Sequence, residues 1–295
     1  ATIDGINPTS VLKNEGILTI EGTNAPMWPG TLDATTTAGN TVRYAAASPQ
    51  TIRATDYYHL QLLGSGAKTF NANIHVYGDL TINGATLTFG SMGTFTLVVD
   101  GDLNASTGNI DMDNGTLYHV LILKGQNNSC ASLAADDISR IEYRGPDNQQ
   151  IFASPNYQVL ALAGTGTKQL MGHVSVNDTL RVETSVQVNG YDMFVNNPAG
   201  EVVRTGGSVI GALKRAIAIT GKDYNFPVGT ATEYHPILIS FTNLTSGNLD
   251  AQYVASDIGN SGLPLNDNGN DVYEQFTQGY WQTTSSAGLR RRSVK

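Results

Sequence analysis

The sequence is poor in cysteine, in charge and in long apolar runs. Its single cysteine, Cys130, excludes an intramolecular disulfide. Only 14% of the residues are charged, so the polar surface must come from Asn, Thr, Ser and Gln. No stretch reaches the ~18 consecutive apolar residues that a transmembrane helix requires, which predicts a chain with no membrane-spanning segment.

Basic residues are also scarce. The formal net charge is −8 and the isoelectric point is near 5.0. Nucleic-acid binding needs a clustered basic surface, and the one basic cluster, Arg290 to Arg292 with Lys295, is interpreted as an exposed tail. We therefore expect no nucleic-acid partner. The sequence starts at Ala1 without a signal peptide, which fits a processed or excised segment.

Catalytic motifs are not evident either. The histidines, at 59, 75, 119, 173 and 235, form neither HxH nor HExxH spacing. The segment Gly64-Ser-Gly66 is no nucleophile elbow, and the following Lys68 lacks the spacing and the helix of a phosphate-binding loop. The sequence thus predicts no catalytic residue and a protein that is not an enzyme.

Glycine is abundant, with 32 residues, and so is internal similarity. Residues 43–82 resemble residues 142–182, which is typical of stacked folds whose units bury their apolar faces against each other. Matches at an offset of 99 are followed, after one inserted residue, by matches at 100. The matched pairs are Tyr44/Tyr143, Gln50/Gln149, Ile52/Ile151 and Tyr58/Tyr157, then Gly64/Gly164, Gly66/Gly166, Lys68/Lys168, Leu80/Leu180 and Ile82/Val182.

Short segments of alternating apolar and polar residues predict an all-β fold. Examples are residues 74–82, 94–99, 120–123 and 174–182, with turn signals such as Asn83-Gly84, Asp100-Gly101, Asn114-Gly115 and Asn189-Gly190 between the strands. Together with the repeat, they favour a right-handed parallel β-helix over residues 1–204, with two units of about 100 residues and coils of ~20–25 residues. Because Asn-Gly pairs also make hairpins, an antiparallel sandwich or jelly roll is the alternative.

The pattern changes near residue 205. The run Val209 to Ile219 is compatible with a helix or with two strands, and prolines interrupt the strands that follow. We therefore expect residues 205–295 to form a smaller β-sandwich-like module that caps the solenoid.

The repeated polar residues suggest structural roles. Tyr44/Tyr143 and Tyr58/Tyr157 are expected to form ladders between coils, and Gln50/Gln149 an amide ladder. Lys68 and Lys168 are expected to lay their stems over neighbouring coils with the ammonium in water.

Ligand candidates are few. Tyr57 and Tyr77 could stack on sugar faces if their rings are exposed. Asp111 and Asp113, two residues apart, could bind calcium or act as an acid pair, with a solvated turn as the alternative. Asp267 and Asp271 lie in a loop that resembles part of a calcium-binding loop but lacks its distal Glu and its flanking helices. Adjacent Asp136 and Asp137 are expected on opposite faces of a strand.

The repeat pattern Tyr…Gln-x-Ile…Tyr…Leu-x-Leu…Gly-x-Gly-x-Lys…Gly-x-Leu-x-Ile resembles repeats of large adhesin-like surface proteins of Bacteroidota, as do residues 224–229 and 279–282. That resemblance covers about residues 43–295. It implies a secreted or cell-surface protein exported by type IX secretion, with a sorting signal downstream of Lys295. It also implies a non-enzymatic structural or adhesive segment whose partners are extracellular or cell-surface proteins, with glycans as a further class of partner. A carbohydrate-binding or carbohydrate-active β-helix is the alternative.

Overall fold

The computed structural model describes residues 9–23, 30–136, 138–260 and 262–286, except for the side chain of Asp267. These residues form strands, turns and no helix, so the all-β prediction is confirmed. Within them, no helix is long and apolar enough to cross a membrane. Asp137 and the basic cluster at 290–295 lie outside the described residues.

Thirty strands follow one another. The first fifteen are β1 (Val11–Lys13), β2 (Ile17–Ile20), β3 (Thr31–Asp33), β4 (Thr41–Tyr44), β5 (Gln50–Thr51), β6 (His59–Leu63), β7 (Ala67–Phe70), β8 (Ile74–Val76), β9 (Leu80–Phe89), β10 (Thr96–Val99), β11 (Leu103–Met112), β12 (Val120–Leu123), β13 (Asn128–Ala135), β14 (Arg140–Tyr143) and β15 (Gln149–Ile151). The others are β16 (Ser154–Leu162), β17 (Lys168–Leu170), β18 (Val174–Val182), β19 (Val186–Gln187), β20 (Met193–Val195), β21 (Glu201–Arg204), β22 (Val209–Ile210), β23 (Leu213–Ile217), β24 (Asp223–Phe226), β25 (Val228–Gly229), β26 (Ile237–Ser240), β27 (Gly247–Val254), β28 (Leu265–Asp267), β29 (Asn270–Val272) and β30 (Tyr280–Ser285).

Parallel pairing stacks these strands into a β-solenoid of about 11 turns, which confirms the predicted β-helix architecture. Sheet I runs from β8 through β10, β12, β14, β16, β18 and β20 to β23; sheet II includes β2, β4, β6, β9, β11 and β13; and sheet III comprises β15, β17, β19, β22 and β25. Paired residues are 18 apart between β4 and β6 and 24 apart between β10 and β12. The length of one coil is therefore close to the ~20–25 residues predicted from the repeat.

Aliphatic side chains fill the interior because alternate residues of each strand face inward. One stacked row in sheet I is fully buried and pairs Leu97, Leu121, Ile141, Leu160 and Leu180 in register on consecutive coils. Burying each such side chain stabilises the fold by roughly 1.5–3 kcal/mol. The core is thus a continuous column rather than a set of separate centres.

The two repeat copies lie on different faces of the solenoid. Tyr44 belongs to sheet II, where it stacks on Leu62, whereas its counterpart Tyr143 belongs to sheet I, between Leu123 and Leu162. Likewise, β5 and β7 belong to sheet II, but the matching β15 and β17 form sheet III. The repeat is therefore not a whole number of coils, and equivalent outward-facing residues of the two copies point in different directions.

Parallel pairing does not stop at residue 204, since β19, β22 and β25 continue sheet III to Gly229. Residues 209–219, which the sequence left open, form the strands β22 and β23. The strand direction then changes: β27 pairs with β23 and β30 pairs with β27, both antiparallel, and these two strands extend sheet I. The antiparallel pairs β24–β26 and β28–β29 form two separate two-stranded sheets.

Candidate functional site

A pair of hydrogen-bonded tyrosines recurs at corresponding positions of the two copies. The Tyr44 and Tyr57 hydroxyls are 3.1 Å apart, and the Tyr57 hydroxyl donates to the Arg53 carbonyl. The second copy repeats this with Tyr143 and Tyr157 at 2.9 Å and the Phe152 carbonyl. The counterpart of Tyr157 is thus Tyr57, and the expected pairing with Tyr58 was wrong. The one residue inserted in the second copy therefore lies between the counterparts of positions 53 and 57.

The tyrosine pairs are fully enclosed. Tyr57 has no exposed surface, so the expectation that its ring could stack on a sugar is wrong. Burial raises the pKa of Tyr57 well above its usual value and does the same for Tyr157. Both hydroxyls therefore act as neutral hydrogen-bonding groups within the core.

Lys68 and Lys168 are also buried, contrary to the expectation that their ammonium groups would stay in water. Lys68 Nζ donates to the carbonyls of Ala46 (2.6 Å) and Ser48 (3.1 Å). Lys168 Nζ donates to the carbonyl of Gly145 (3.1 Å) and to Gln149 Oε1 (2.7 Å). Backbone carbonyls at the corners between strands have no strand partner, and the two ammonium groups donate hydrogen bonds to them. Burial lowers the pKa of Lys168 to about 8.

Gln50 and Gln149 connect coils as well, but through the backbone rather than as an amide ladder. Gln149 Nε2 donates to the carbonyls of Leu123 (3.0 Å) and Gly125 (2.7 Å), and Gln50 Nε2 bonds Ile20 and Gly22 likewise. The repeated polar residues therefore serve the stacking of coils.

Two of the calcium candidates, Asp111 and Asp271, accept local hydrogen bonds. Asp111 Oδ1 accepts the Asp113 amide at 3.0 Å, which is a local turn at the end of β11. The Asp271 carboxylate accepts from Asn266 (2.9 Å) and Tyr273 (3.1 Å) within the β28–β29 hairpin. The side chain of Asp267 lies outside the description. Among described residues, no three His, Cys, Asp or Glu side chains are grouped so that they could hold a metal ion.

Glycines stack at the corner that follows sheet I. A Cβ on Gly101 would lie 2.5 Å from the Gly78 carbonyl carbon, and one on Gly125 would lie 2.1 Å from the Gly101 oxygen. The same close approach recurs from Gly164 to Gly145, at 2.3 Å. Only glycine allows coils to approach this closely, and a corner without side chains leaves a hollow beside it.

This hollow is a surface concavity that combines charged and amide groups; we call it the corner groove. Two adjoining cavities of about 530 and 290 Å³ form it, and both are lined by Asp79, Asp102 and Asn127. The larger one is also lined by Asp100, Lys124 and Asp147. Because the lining residues come from four consecutive coils, the groove runs along the solenoid axis.

Hydrogen bonds to the next coil fix the groove side chains. Asp79 Oδ1 accepts the amide of Asp102 at 2.9 Å. The Asp102 carboxylate in turn accepts the amide and the side-chain Nδ2 of Asn127, both at 2.9 Å. The carboxylates thereby replace strand pairing where the chain turns, and they hold fixed orientations at the surface.

An exposed aromatic ring precedes the groove residue Asp79 by two positions. Tyr77, which is 46% exposed, packs against the His75 ring with centroids 4.0 Å apart. His75 Nε2 lies 2.8 Å from one oxygen of Asp100, and Lys124 Nζ lies 2.8 Å from the other. Tyr77 is thus linked to the groove residue Asp100 through His75, but neither ring is among the residues that line the groove.

A smaller cavity of about 260 Å³ lies on the extension of sheet I. Asp192, Asp250, Gln252 and Gln282 line it. Burial raises the pKa of Asp250, which Lys214 lowers in part and Asp192 raises further. Neither carboxylate was singled out from the sequence, because they are 58 positions apart and come together only through the antiparallel strand β27.

The groove aspartates were also missed. Asp79, Asp102 and Asn127 have no short-range motif, since their spacing is that of a coil. Asp-Gly-Asp at 100–102 beside Gly78-Asp79 was the available signal, and it required knowing the stacking register.

Comparisons with models of protein families, with curated proteins and with solved structures find no match for this chain.

Proposed function

We propose that the chain is a non-enzymatic, extracellular structural or adhesive segment of a large surface protein. The observation that carries the proposal is that the buried polar side chains recurring between the copies are used inside the fold. The Gln and Lys side chains bond one coil to another, and each tyrosine pair closes a contact within one coil. A sequence that repeats stacking residues and varies outward ones suits a rigid scaffold.

The proposal includes a location and partners, both suggested by the resemblance to Bacteroidota surface repeats. The segment would be secreted or held at the cell surface through type IX secretion, and it would contact extracellular or cell-surface proteins. Residues 205–295, expected from the sequence to be a β-sandwich-like module, continue the solenoid to Gly229; we propose that the part after Gly229 is that module and joins the solenoid to further domains. The exposed apolar side chains Leu238, Leu265, Phe276 and Trp281 in that region fit such a junction.

Two measurements test this proposal. Protease treatment of intact producing cells should remove the protein, and disabling type IX export should keep it inside the cell. In parallel, the purified chain should leave neutral and acidic polysaccharides uncleaved. Cleavage that disappears in Asp111→Asn, Asp113→Asn or Asp250→Asn, with unchanged thermal unfolding, would replace the scaffold by an enzyme.

Carbohydrate recognition is the second candidate function, and the corner groove favours it. Sugar-binding sites combine polar side chains held in place with an exposed ring; the groove has the first, and the exposed Tyr77 ring precedes its residue Asp79 by two positions. A carbohydrate-active enzyme is the weaker form of this alternative, for which the Asp192 and Asp250 cavity is the place to look.

A further inference from the structure

We propose that β30 is a docking edge for a second copy of this chain, and that two copies pair their β30 strands antiparallel about a two-fold axis at Thr283. The inference goes beyond the scaffold role, because it names an interaction surface and the partner that it takes. Pairing of this kind joins the two copies of sheet I, which ends at β30, into one continuous sheet.

The two edges of sheet I differ in how they are covered. At the β8 edge, the His75 amide donates to Asp56 Oδ1 at 2.8 Å, and Tyr57 forms a parallel bridge with Val76. At the other edge, β30 pairs with β27 and, within the described residues, with no other strand. The sheet therefore ends in covered backbone groups on one side and in an open strand on the other.

The sequence of β30 lacks the features that protect natural edge strands, which carry lysine, proline, inward-pointing charges or a bulge. The strand reads Tyr-Trp-Gln-Thr-Thr-Ser, without charge or proline, and it pairs with β27 in unbroken register. Trp281 is 46% exposed, and the four strand residues after it are exposed as well. The strand is therefore accessible as a template for another β-strand.

The register with β27 determines which backbone groups of β30 face the free edge. Ser286 N donates to the Asn248 carbonyl at 2.9 Å, and these two residues continue the β27–β30 register. In an antiparallel pair, residues that bond the neighbouring strand alternate with residues whose backbone groups face away from it. The N–H and C=O groups of Trp281, Thr283 and Ser285 therefore face outward.

Antiparallel self-pairing uses all of these outward groups. With the two-fold axis at Thr283, this residue lies opposite Thr283 of the second copy, and Trp281 lies opposite Ser285. Each such pair exchanges two backbone hydrogen bonds, about six in total. Opposite residues then share a face of the sheet, so the pleats of the two strands agree. An isologous contact of this kind closes as a dimer.

Charge on either side of β30 favours a second copy in the antiparallel direction. Asp271 and Glu274 are exposed and precede the strand, whereas Arg290, Arg291 and Arg292 follow it in the sequence. Antiparallel pairing brings the acidic side of one copy beside the basic side of the other, whereas parallel pairing would bring like charges together. Opposite charges at the two ends of β30 thus fit a partner with the same sequence in the reverse direction.

Sedimentation velocity of the purified intact chain at micromolar to millimolar concentrations tests the proposal. We expect a reversible equilibrium between monomer and dimer. Hydrogen exchange at low and high protein concentration should show the largest concentration-dependent protection in the peptide that contains β30, because the outward amides become bonded only in the dimer.

Two substitutions at the axis provide the variants. Thr283→Pro removes an outward N–H, and edge strands tolerate proline where this side faces solvent. Thr283→Lys sets two like charges opposite each other, which destabilises strand pairing. Both should weaken dimerisation by about tenfold or more. Thr51→Lys is the matched control, because it adds the same charge at an exposed threonine of β5, and it should dimerise like wild type.

The proposal is overturned if the chain is monomeric at every concentration, or if a dimer forms without added protection of β30. It is equally overturned if Thr283→Lys dimerises as well as Thr51→Lys. Thermal unfolding shows whether each variant keeps its fold, and Thr283→Lys decides the matter if the proline variant does not. Because the purified chain is measured, a monomer would leave the scaffold proposal, which rests on export and cleavage, standing.

Discussion

In the first repeat copy, His75, Tyr77 and Asp79 face outward around β8, whereas Ser175, Asn177 and Thr179 occupy the same positions of β18 in the second copy. The inward residues between them hardly differ: Ile74 and Val76 answer Val174 and Val176, and all four are buried. The outward side chains at these positions therefore differ: they are aromatic or ionisable in the first copy and small and uncharged in the second.

This contrast separates what the repeat maintains from what each copy has acquired. Stacking depends on buried side chains that meet the same partners in every coil, so substitutions there are felt by two coils. Outward side chains on one coil are free to vary. The corner groove accordingly does not follow the repeat: Asp79 belongs to the first copy and Asp147 to the second, and most of the lining lies between the copies.

Large effects are expected at the corner glycines, where the copies differ in how closely coils approach. Gly164 and Gly64 both have φ near +80°, but a Cβ would lie 2.3 Å from a carbonyl oxygen at Gly164 and 2.8 Å at Gly64. We expect Gly164→Ala to lower the free energy of unfolding by about 3 kcal/mol, and Gly64→Ala by less, because both strain the backbone but the first also overpacks it.

Gly115→Ala is the control for that experiment. Gly115 has φ of 76° with no atom near its Cβ position, so this variant should show the backbone strain alone, about 1 kcal/mol. Denaturant unfolding measures all three. Equal losses at Gly115 and Gly164 would show that coil approach is not limiting at the corner.

The tyrosine pairs should come next in size. Tyr143→Phe removes the hydroxyl that contacts Tyr157 and accepts the Phe152 amide, and a buried group left without a partner costs about 1–3 kcal/mol. Tyr44→Phe removes the corresponding contacts in the first copy, so thermal unfolding should report similar losses. A loss confined to one copy would contradict the equivalence of the two pairs.

The buried lysines make a prediction about pH. The pKa of Lys168 is about 8 in the folded chain and 10.5 in its ordinary state, because burial disfavours the charged form. Between these values the unfolded chain binds a proton that the folded chain lacks, so the contribution of Lys168 to the free energy of unfolding rises with pH. Below pH 8 the contribution is constant.

Comparison of wild type with Lys168→Met between pH 7.5 and 9.5 isolates this effect. The difference in stability should grow in favour of wild type as the pH rises above 8. Lys68→Met should show the same direction, since burial also lowers the pKa of Lys68. A difference that does not change with pH in either variant would mean that these lysines are not desolvated.

The smallest effect on stability is expected outside the core. Tyr77→Ala should leave the free energy of unfolding within about 0.5 kcal/mol of wild type, as is usual for exposed side chains. Tyr57→Ala, which removes a buried ring of the first copy, should destabilise by about 3–5 kcal/mol. Similar melting temperatures for both variants would contradict the assignment of Tyr57 to the core.

Much of the fold could be predicted from the sequence, because strand periodicity and corner residues are local signals. The predicted strands at 120–123 and 174–182 agree with β12 and β18 residue for residue. The burial of the two lysines could not be predicted. A lysine whose side chain is exposed at a corner and one whose side chain packs beneath the corner have the same sequence pattern. Their burial depends on carbonyls of another coil, such as those of Ala46 and Gly145.

The candidate site was less predictable than the fold. Tyr77 could be singled out from its ring alone, but its contact with His75, and that of His75 with Asp100 one coil away, could not be read from the sequence. Tyr57 was misassigned because a one-residue shift in the alignment hid its partnership with Tyr44. Register between coils, rather than composition, decides which polar residues share a surface.

Two neighbouring glutamines offer the most direct test of the central claim that the buried, repeated side chains hold the coils together. Gln149 is buried and bonds Leu123, Gly125, Gly145 and Lys168, whereas the adjacent, half-buried Gln150 turns to the groove side. Denaturant unfolding should show Gln149→Ala less stable than wild type by about 3 kcal/mol, since several polar groups lose their partners, and Gln150→Ala within about 1 kcal/mol. Equal stability of the two variants would contradict the account.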